Sequence, residues 1–174
     1  MSKSVLIPLA DGFEEVEAVT PIDLLRRAGA EVCTVAVGSS LSVTGKNGII
    51  VQPDKRMSEV KAGDFDLLLL PGGPAAKDLR QNPEILEWVR SFSERKAWIA
   101  AICAAPTILL EAGILDGRRY TAHFSTAEEL PDAAPEAVVR DGNLITSQGA
   151  GTAIPFALAV IEGAFALAFL FEGE

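Results

Sequence analysis

The apolar run at positions 66–70 constrains the fold of this chain more than any other segment. It consists of an aspartate followed by four leucines, without alternation of polar and apolar positions. A strand of this kind is buried on both faces, which is typical of parallel sheets covered by helices on either side. Other apolar runs, at 4–10, 31–37 and 97–102, alternate with segments of helical spacing. The sequence therefore predicts an α/β fold with a doubly wound, mostly parallel sheet and helices on both faces.

Two helices are marked by their ends. The first spans residues 14–28, with apolar positions at helical spacing and Gly29 as its natural stop. Pro21 lies inside this helix and is expected to kink or divide it. The second opens at Asn82, which is followed by a proline at the first helical position, and is expected to run to about Arg95.

The turn residues predict further elements. Two hairpins with glycine-containing turns are expected at 41–51 and 138–146. A short strand is expected at 119–122, leading into the only histidine of the chain. A short helix is expected from Ser125, with Glu128 in capping-box position.

The final helical pattern follows Gly149, and residues 156–171 are apolar except for Glu162 and Gly163. This segment is shorter than a membrane span requires and carries a carboxylate at its centre, so a buried helix is the better interpretation. A helix that is apolar all round must be covered on every side. We expect a second subunit to supply part of that cover.

Length and charge exclude several classes of protein. With 174 residues, 49% of them hydrophobic, the chain is expected to form one domain over residues 1–174 with a three-layer core. Its net charge of -9 argues against nucleic acid or an anionic membrane as a partner. The two cysteines, Cys33 and Cys103, lack the spacing of a metal site. Since no cleavable signal is visible either, a cytoplasmic protein with reduced thiols is expected.

Cys103 stands between a predicted strand at 97–102 and a predicted helix at 104–113. A cysteine on such a turn projects its sulfur from the end of the sheet, as in the nucleophile elbow of hydrolases. The helix N-terminus is expected to lower the thiol pKa well below its ordinary value of about 8.5. The alternative is a small apolar residue that fills space behind the sheet, as most free cysteines do.

Other polar residues follow strands at the same predicted edge. Ligands of open α/β sheets bind at the carboxyl ends of the strands. Residues 11–17, the glycine pair after the leucine run, Cys103 and His123 all fall at those ends. His123 is a candidate for proton transfer, although a lone histidine is usually structural. The predicted oxyanion donors are the backbone N–H groups of Gly72, Gly73 and Ala104.

Three glutamates begin the first helix: Glu14, Glu15 and Glu17. Acidic residues are common in a first helical turn, because they interact favourably with the helix dipole. That preference alone explains at least two of them.

Four motifs carry a resemblance to a known family. They read E-E-V-E-A near the first helix, L-P-G-G after the leucine run, A-I-C-A-A-P around Cys103, and L-I-T-S-Q-G-A-G-T before the final helix. The chain resembles the ThiJ/PfpI superfamily, most closely the branch of the parkinsonism-associated protein deglycase and its bacterial relatives. The resemblance covers nearly the whole chain.

The resemblance implies a flavodoxin-like homodimer, with the first helix, near Arg26 and Arg27, at or close to the interface. It also implies that Cys103 is the reactive cysteine, that a protonated Glu17 touches its sulfur, and that His123 lies nearby. The glycine pair and Ala104 match the oxyanion donors of the family.

Three positions depart from the family pattern. Ala104 stands where peptidase-like members have a histidine, which argues against proteolysis. Asn47 stands where relatives have an arginine near the pocket, and Ala150 replaces the proline of a G-P-G-T loop.

These observations predict a cysteine enzyme that needs no cofactor and no metal. The resemblance implies a glyoxalase-type conversion of methylglyoxal to lactate, or a deglycase acting on early glycation adducts, so the partners are a small dicarbonyl or a glycated protein. A redox sensor or chaperone whose Cys103 oxidises to sulfinic acid is the alternative, and a cysteine peptidase or amidase is a weaker one.

Overall fold

A seven-stranded sheet forms the centre of the computed structural model, which describes residues 3–165. In chain order the strands are β1 (Ser4–Leu9), β2 (Glu31–Ala36), β3 (Val43–Thr44), β4 (Ile50–Val51), β5 (Lys55–Arg56), β6 (Leu67–Leu70), β7 (Trp98–Ile102), β8 (Val138–Asp141) and β9 (Leu144–Ser147). The order across the sheet is β5-β2-β1-β6-β7-β9-β8, and every neighbouring pair is parallel except β8 and β9. The central order β2-β1-β6-β7-β9 is that of flavodoxin-like folds. The predicted sheet is confirmed.

Helices pack on both faces of this sheet. They are α1 (Glu15–Arg27), α2 (Ala75–Leu79), α3 (Pro83–Glu94), α4 (Pro106–Glu111) and α5 (Ala153–Phe165). Helices α1 and α5 contact each other on one face, whereas α4 contacts both α2 and α3 on the other. The four leucines of β6 are fully buried between the two layers, as their uninterrupted apolar pattern predicts.

The strand order reverses between β1 and β6. From β1 the chain moves to β2 on one side of the sheet, and only later returns to place β6 on the other side. Such a switch point leaves a crevice at the carboxyl ends of the two strands. The segments that follow β1, β6 and the adjacent β7 meet there.

Both predicted hairpins are present. Strands β3 and β4 form a separate antiparallel pair, and β8 pairs antiparallel with β9 at the edge of the main sheet. The predicted cap of α3 is also confirmed, because the Asn82 side chain accepts the N–H groups of Glu84 and Ile85.

The segment 119–122 is not a strand, contrary to the prediction. Strand β9 occupies the position beside β7, so this segment has no ladder to join. Side chains hold its backbone instead: the Thr121 N–H donates to Thr146 Oγ1 at 2.8 Å, and the Thr121 hydroxyl donates to the Ala134 carbonyl at 2.7 Å.

The short helix near Ser125 begins differently from the prediction. It is a single 3₁₀ turn over Phe124–Thr126. The cap is the His123 side chain, whose Nδ1 accepts the Ser125 N–H at 3.2 Å. The prediction had placed the start of this helix at Ser125, with Glu128 in capping-box position. In the structure the His123 imidazole is the cap instead.

Pro21 does not divide α1, which is continuous over Glu15–Arg27. The proline removes one i→i−4 hydrogen bond, and the burial of Ala18, Pro21 and Leu25 on one helix face offsets that loss.

The final helix agrees with the prediction only in part. Its buried face carries Phe156 and Val160, but Ile154 and Leu158 are 61% and 40% exposed. The predicted stretch beyond Phe165 lies outside the described residues. No helix within residues 3–165 has both the length and the apolar character needed to cross a membrane.

Candidate functional site

Cys103 occupies a backbone conformation that non-glycine residues rarely adopt. It directly follows β7 and has φ +66°, a left-handed geometry that costs on the order of 1–3 kcal/mol and persists only where the surroundings enforce it. Two hydrogen bonds enforce it here. The Cys103 N–H donates to the Ser147 carbonyl and the Cys103 carbonyl accepts the His123 N–H, both at 2.9 Å. The predicted turn between strand and helix is present, and the cysteine is half-buried.

Glu17 lies in the first turn of α1 and is only 1% exposed. Its Oε2 accepts the Gly72 N–H at 3.1 Å, and its carboxyl group is hydrogen-bonded to the Cys103 side chain. Burial raises the pKa of Glu17 to about 7, and the nearby Glu14 carboxylate adds to this effect. The hydrogen bonds from Cys103 and Gly72 and the charge of Lys46 oppose it. The expectation that Glu17 keeps a proton close to neutral pH is confirmed.

The predicted lowering of the thiol pKa is wrong. Burial, together with the charge and the hydrogen bond of Glu17, raises the pKa of Cys103 to about 12. The N–H groups of Gly73 and Ala104 act in the opposite direction without overcoming these effects. The helix that was expected to stabilise the thiolate begins three residues later, at Pro106, and is only six residues long.

Cys103 and Glu17 therefore titrate as one unit. Two adjacent buried acids do not both ionise at neutral pH, because each negative charge raises the pKa of the other group. The pair releases one proton near pH 7 and holds the second to about pH 12, and these values belong to the pair rather than to either residue.

Gly72 makes this close approach possible. A Cβ atom at this position would lie 2.6 Å from both Cys103 Cβ and Glu17 Oε2, which no side chain tolerates. Because the Gly72 N–H already donates to Glu17, Gly72 positions the carboxyl group. Of the three predicted oxyanion donors, Gly73 and Ala104 are the two whose N–H groups point at the sulfur.

His123 lies in the same cavity as the pair. Its Nδ1 is 2.8 Å from the Ser125 hydroxyl and also accepts the Ser125 N–H, so the ring orientation is fixed. The imidazole is in contact with Phe124, at 4.1 Å between ring centroids, and that phenyl ring is 83% exposed. The structure thus brings His123 to the site that the sequence predicted.

The other two glutamates of the acidic cluster have structural contacts. Glu14 caps α1, because its side chain accepts the Glu17 N–H at 2.9 Å. Glu15 accepts the Asn47 N–H at 2.7 Å and the Asn47 side-chain amide at 2.8 Å, which ties α1 to the β3–β4 hairpin. Asn47 therefore donates both its backbone N–H and its side-chain amide to Glu15.

The cavity above Cys103 has a volume of about 710 Å³ and opens to solvent. Its charged lining includes Lys46, Lys77 and Arg80, which sequence analysis did not assign to the site. A signal for Lys77 was present, since it lies in the short helix after the glycine pair at the same sheet edge. No local pattern places Lys46 there, because it depends on how the hairpin packs against α1. Ala150 also lines the cavity.

No group of three or more histidine, cysteine, aspartate or glutamate side chains within residues 3–165 could hold a metal ion.

The chain matches the DJ-1/PfpI family over residues 3–163. It is 37% identical over 167 residues to the Parkinson disease protein 7 homolog of Danio rerio, a match that covers 92% of this chain and 88% of that protein. It is 38% identical over 162 residues to Protein DJ-1 homolog B of Arabidopsis thaliana, where the match covers 91% of this chain but only 37% of the longer plant protein. The crystal structure of Drosophila melanogaster DJ-1beta is similar with a TM-score of 0.89 and 38% identity, covering 94% of this chain and 91% of that one. The chain therefore belongs to the DJ-1/PfpI family.

Proposed function

We propose that this protein is a cofactor-independent cysteine enzyme of the cytoplasm that acts on small reactive dicarbonyl compounds. Conversion of methylglyoxal to lactate is the preferred reaction, and release of early glycation adducts ranks second. One observation carries the proposal: the Cys103–Glu17 pair, which keeps one proton between about pH 7 and about pH 12, at the base of an open cavity.

In the reactive form the negative charge lies on the Cys103 sulfur and the shared proton on Glu17. Cys103 is partly buried and its sulfur faces two N–H donors, from Gly73 and Ala104, whereas Glu17 is 1% exposed and its carboxyl group accepts one N–H, from Gly72. A large, polarisable thiolate with more donors loses less solvation than a buried carboxylate. This form supplies a nucleophile and an acid side by side.

The first step is addition of the sulfur to the aldehyde carbon. A carbon–sulfur bond forms, the carbonyl electron pair moves to oxygen, and Glu17 gives its proton to that oxygen. The product is a hemithioacetal, and Glu17 is left as a carboxylate. The Gly73 and Ala104 N–H groups stabilise the charge that develops on oxygen during the addition.

The second step moves a proton between adjacent carbons. A base, either Glu17 or His123, removes the proton from the carbon bound to sulfur, and the electron pair moves to the neighbouring carbonyl oxygen, so that an enediolate forms. The base returns its proton to the neighbouring carbon, and the hydroxyl proton on the first carbon moves to the second oxygen, which gives the lactyl thioester of Cys103. Water then cleaves the thioester, releasing lactate and the free cysteine.

The test is methylglyoxal consumption and lactate formation by the wild type and by Cys103→Ser. Cys33→Ser is a matched control, because Cys33 lies in β2 and does not line the cavity. We expect Cys103→Ser to abolish turnover and Cys33→Ser to retain it. Turnover that survives in Cys103→Ser would refute the proposal.

A redox sensor is the second candidate, favoured by the same partly buried cysteine beside a protonated carboxyl group. Peroxide would oxidise Cys103 to the sulfenic and then the sulfinic acid, and the Glu17 proton would be donated to a sulfinate oxygen. Wild-type protein that fails to turn over methylglyoxal but accumulates a Cys103 sulfinate would support this function. A peptidase is disfavoured, because Ala104 provides no imidazole next to the cysteine.

We further propose a homodimer formed through α1 and α5. Their outer face carries four exposed apolar side chains: Val16, Val19, Ile154 and Leu158. Arg26 and Arg27 at the end of α1 are paired within the chain, with Asp54 and Asp23 respectively. Sedimentation should show a dimer at micromolar concentration that Val19→Glu dissociates, and a wild-type monomer would refute this assignment.

A further inference from the structure

The mouth of the Cys103 cavity is positively charged, although the chain as a whole has a net charge of -9. Three cations line it, Lys46, Lys77 and Arg80, whereas among residues 3–165 Glu129 is the only lining carboxylate besides Glu17. Locally focused charge of one sign attracts ligands of the opposite sign.

Arg80 does not contribute a free charge to this mouth. Its guanidinium pairs with Glu129 at 2.6 Å and with Glu111 at 3.8 Å. Lys46 and Lys77, in contrast, form no ion pair with any residue between 3 and 165. The two lysines are thus the uncompensated charges of the cavity.

Both lysines project from fixed backbone. The Lys46 N–H donates to the Phe13 carbonyl at 2.9 Å, and the next residue, Asn47, is held by Glu15. Lys77 lies on α2, which is anchored by buried Ala76 and Leu79 and by the Ala75 N–H bonded to the Gly12 carbonyl at 3.2 Å. The charges therefore enter the cavity from two different elements on rigid supports.

The size of the cavity agrees with a larger ligand than methylglyoxal. A three-carbon dicarbonyl would fill only a small part of the volume of about 710 Å³. Because Cys103 and both lysines line this one cavity, the remaining volume can hold a second functional group of the same molecule. Lys46 also acts electrostatically on the reactive pair, since its charge lowers the pKa of Glu17.

We propose that the substrate carries an anionic group, a carboxylate or a phosphate, in addition to its reactive carbonyl, and that Lys46 and Lys77 bind this group. That the substrate has a reactive carbonyl rests on the proposed function, whereas the binding of an anionic group by the two lysines does not depend on it. Ammonium groups bind either anion as point charges.

Alkylation of Cys103 tests the anion site without any turnover. Iodoacetate and iodoacetamide have nearly the same shape, and only the first is charged. In both reactions the sulfur displaces iodide, so the ratio of the two rate constants isolates the effect of charge. The measurement is made in a Cys33→Ser background, so that only Cys103 reacts.

We expect Lys77→Gln and Lys46→Gln each to lower the ratio of iodoacetate to iodoacetamide rates by about fivefold, the scale of one partly exposed charge interaction of about 1 kcal/mol. Lys61→Gln is the matched control, because Lys61 is exposed and does not line the cavity. High salt should lower the wild-type ratio towards that of a variant in which Lys46→Gln and Lys77→Gln are combined. If all three variants keep the wild-type ratio, the anion site does not exist.

Turnover then tests the substrate class. We compare 4,5-dioxopentanoate, an α-oxoaldehyde with a carboxylate, with neutral 2-oxopentanal. The wild type should have the higher kcat/KM for the anion, and Lys77→Gln should remove this preference through KM. Equal kcat/KM values in the wild type would overturn the substrate class. No turnover of either compound, with the alkylation ratio still dependent on the lysines, would sink the proposed function and leave the anion site intact.

Two competitors distinguish the sources of the anion. Acetate and inorganic phosphate are each tested for protection of Cys103 from iodoacetamide. Protection at lower concentration by one of them identifies the group, and protection by neither in the wild type contradicts the anion site.

Discussion

Glu15 and Glu17 lie two residues apart at the start of α1 and are 4% and 1% exposed, yet the pKa values of their carboxyl groups shift in opposite directions. Burial acts to raise the pKa of Glu15, but hydrogen bonds from its own N–H, from Asn47 and from Ile49 outweigh it, so the pKa is lowered. For Glu17, burial prevails and raises the pKa to about 7. The hydrogen bonds from one backbone N–H and one thiol are too few to offset the loss of solvation of a buried Glu17 carboxylate.

The difference shows that partners, not burial, decide what a carboxyl group does. On one side of the helix the β3–β4 hairpin offers amide donors, which fix Glu15 as an anion in a structural contact. On the other side Cys103 offers an acidic neighbour, so one proton must be shared. The chain thus places a structural carboxylate and a candidate catalytic acid within one helical turn.

The largest expected effect separates the two glutamates by activity. Glu17→Gln retains the shape of the side chain but cannot transfer a proton, so methylglyoxal turnover should fall by about 10³-fold, within the range for loss of a general acid or base. Glu15→Gln should change it by less than about threefold. Steady-state kinetics on both variants measures this contrast, and similar losses in both would mean that Glu17 acts only through structure.

His123→Ala should have the next largest effect. If the imidazole moves the proton between the two carbons, turnover should fall by about 10²-fold, while the rate of Cys103 oxidation by peroxide stays nearly unchanged. The two rates are measured on the same variant. Unaltered turnover would assign the proton transfer to Glu17 alone.

Stability should depend on pH in opposite directions for the two glutamates. The folded Cys103–Glu17 pair keeps both of its protons to about pH 7, whereas in the unfolded chain Glu17 loses its proton near its ordinary value of 4.5, so wild-type stability falls as the pH rises between these values. Glu17→Gln removes this loss and should raise the free energy of unfolding, relative to wild type, by on the order of 3 kcal/mol at pH 8 and by little at pH 4.

For Glu15 the lowered pKa adds stability above its ordinary pKa, and that stability is lost as the pH falls through the folded value. Glu15→Gln should therefore destabilise the protein at pH 8 and progressively less under acidic conditions. Urea unfolding of both variants across this pH range gives the comparison. Parallel pH profiles would contradict the opposite assignments.

Asn47→Ala should give the smallest effect. It removes the side-chain donor to Glu15 but leaves the backbone N–H in place, so Tm should fall by roughly 4 °C. Methylglyoxal turnover should be nearly unchanged, because Asn47 is engaged with Glu15 and does not line the cavity. A strong loss of turnover in Asn47→Ala would show that the hairpin also positions the reactive pair.

The sequence predicted most of the sheet and several of the residues that meet at the candidate site, because both depend on local patterns. The leucine run of β6, the Asn82 cap and the turn at Cys103 are each encoded within a few positions. The segment at 119–122 was predicted wrongly, since its hydrogen bonds come from Thr146 and Ala134, which are distant in the chain.

The thiol pKa was predicted wrongly for a related reason. The local turn suggested a helix dipole, whereas burial and the neighbouring Glu17, which comes from α1 and is positioned by Gly72, raise the pKa of Cys103. The lysines of the cavity mouth likewise come from separate elements. Charged groups that come together from distant parts of the chain leave no periodic pattern or motif spacing in the sequence, so sequence analysis cannot detect them.

The most direct test of the account is a combined pH titration of Cys33→Ser protein, following the thiolate absorbance of Cys103 and the infrared carbonyl stretch of a protonated Glu17. The account predicts a first step near pH 7, in which part of the thiolate absorbance appears while part of the protonated-carboxyl band remains, and a second step near pH 12 that completes both changes. In Glu17→Gln the band should be absent. Loss of the carboxyl band near pH 7 without any thiolate absorbance would place the charge on Glu17 and contradict the proposed reactive form.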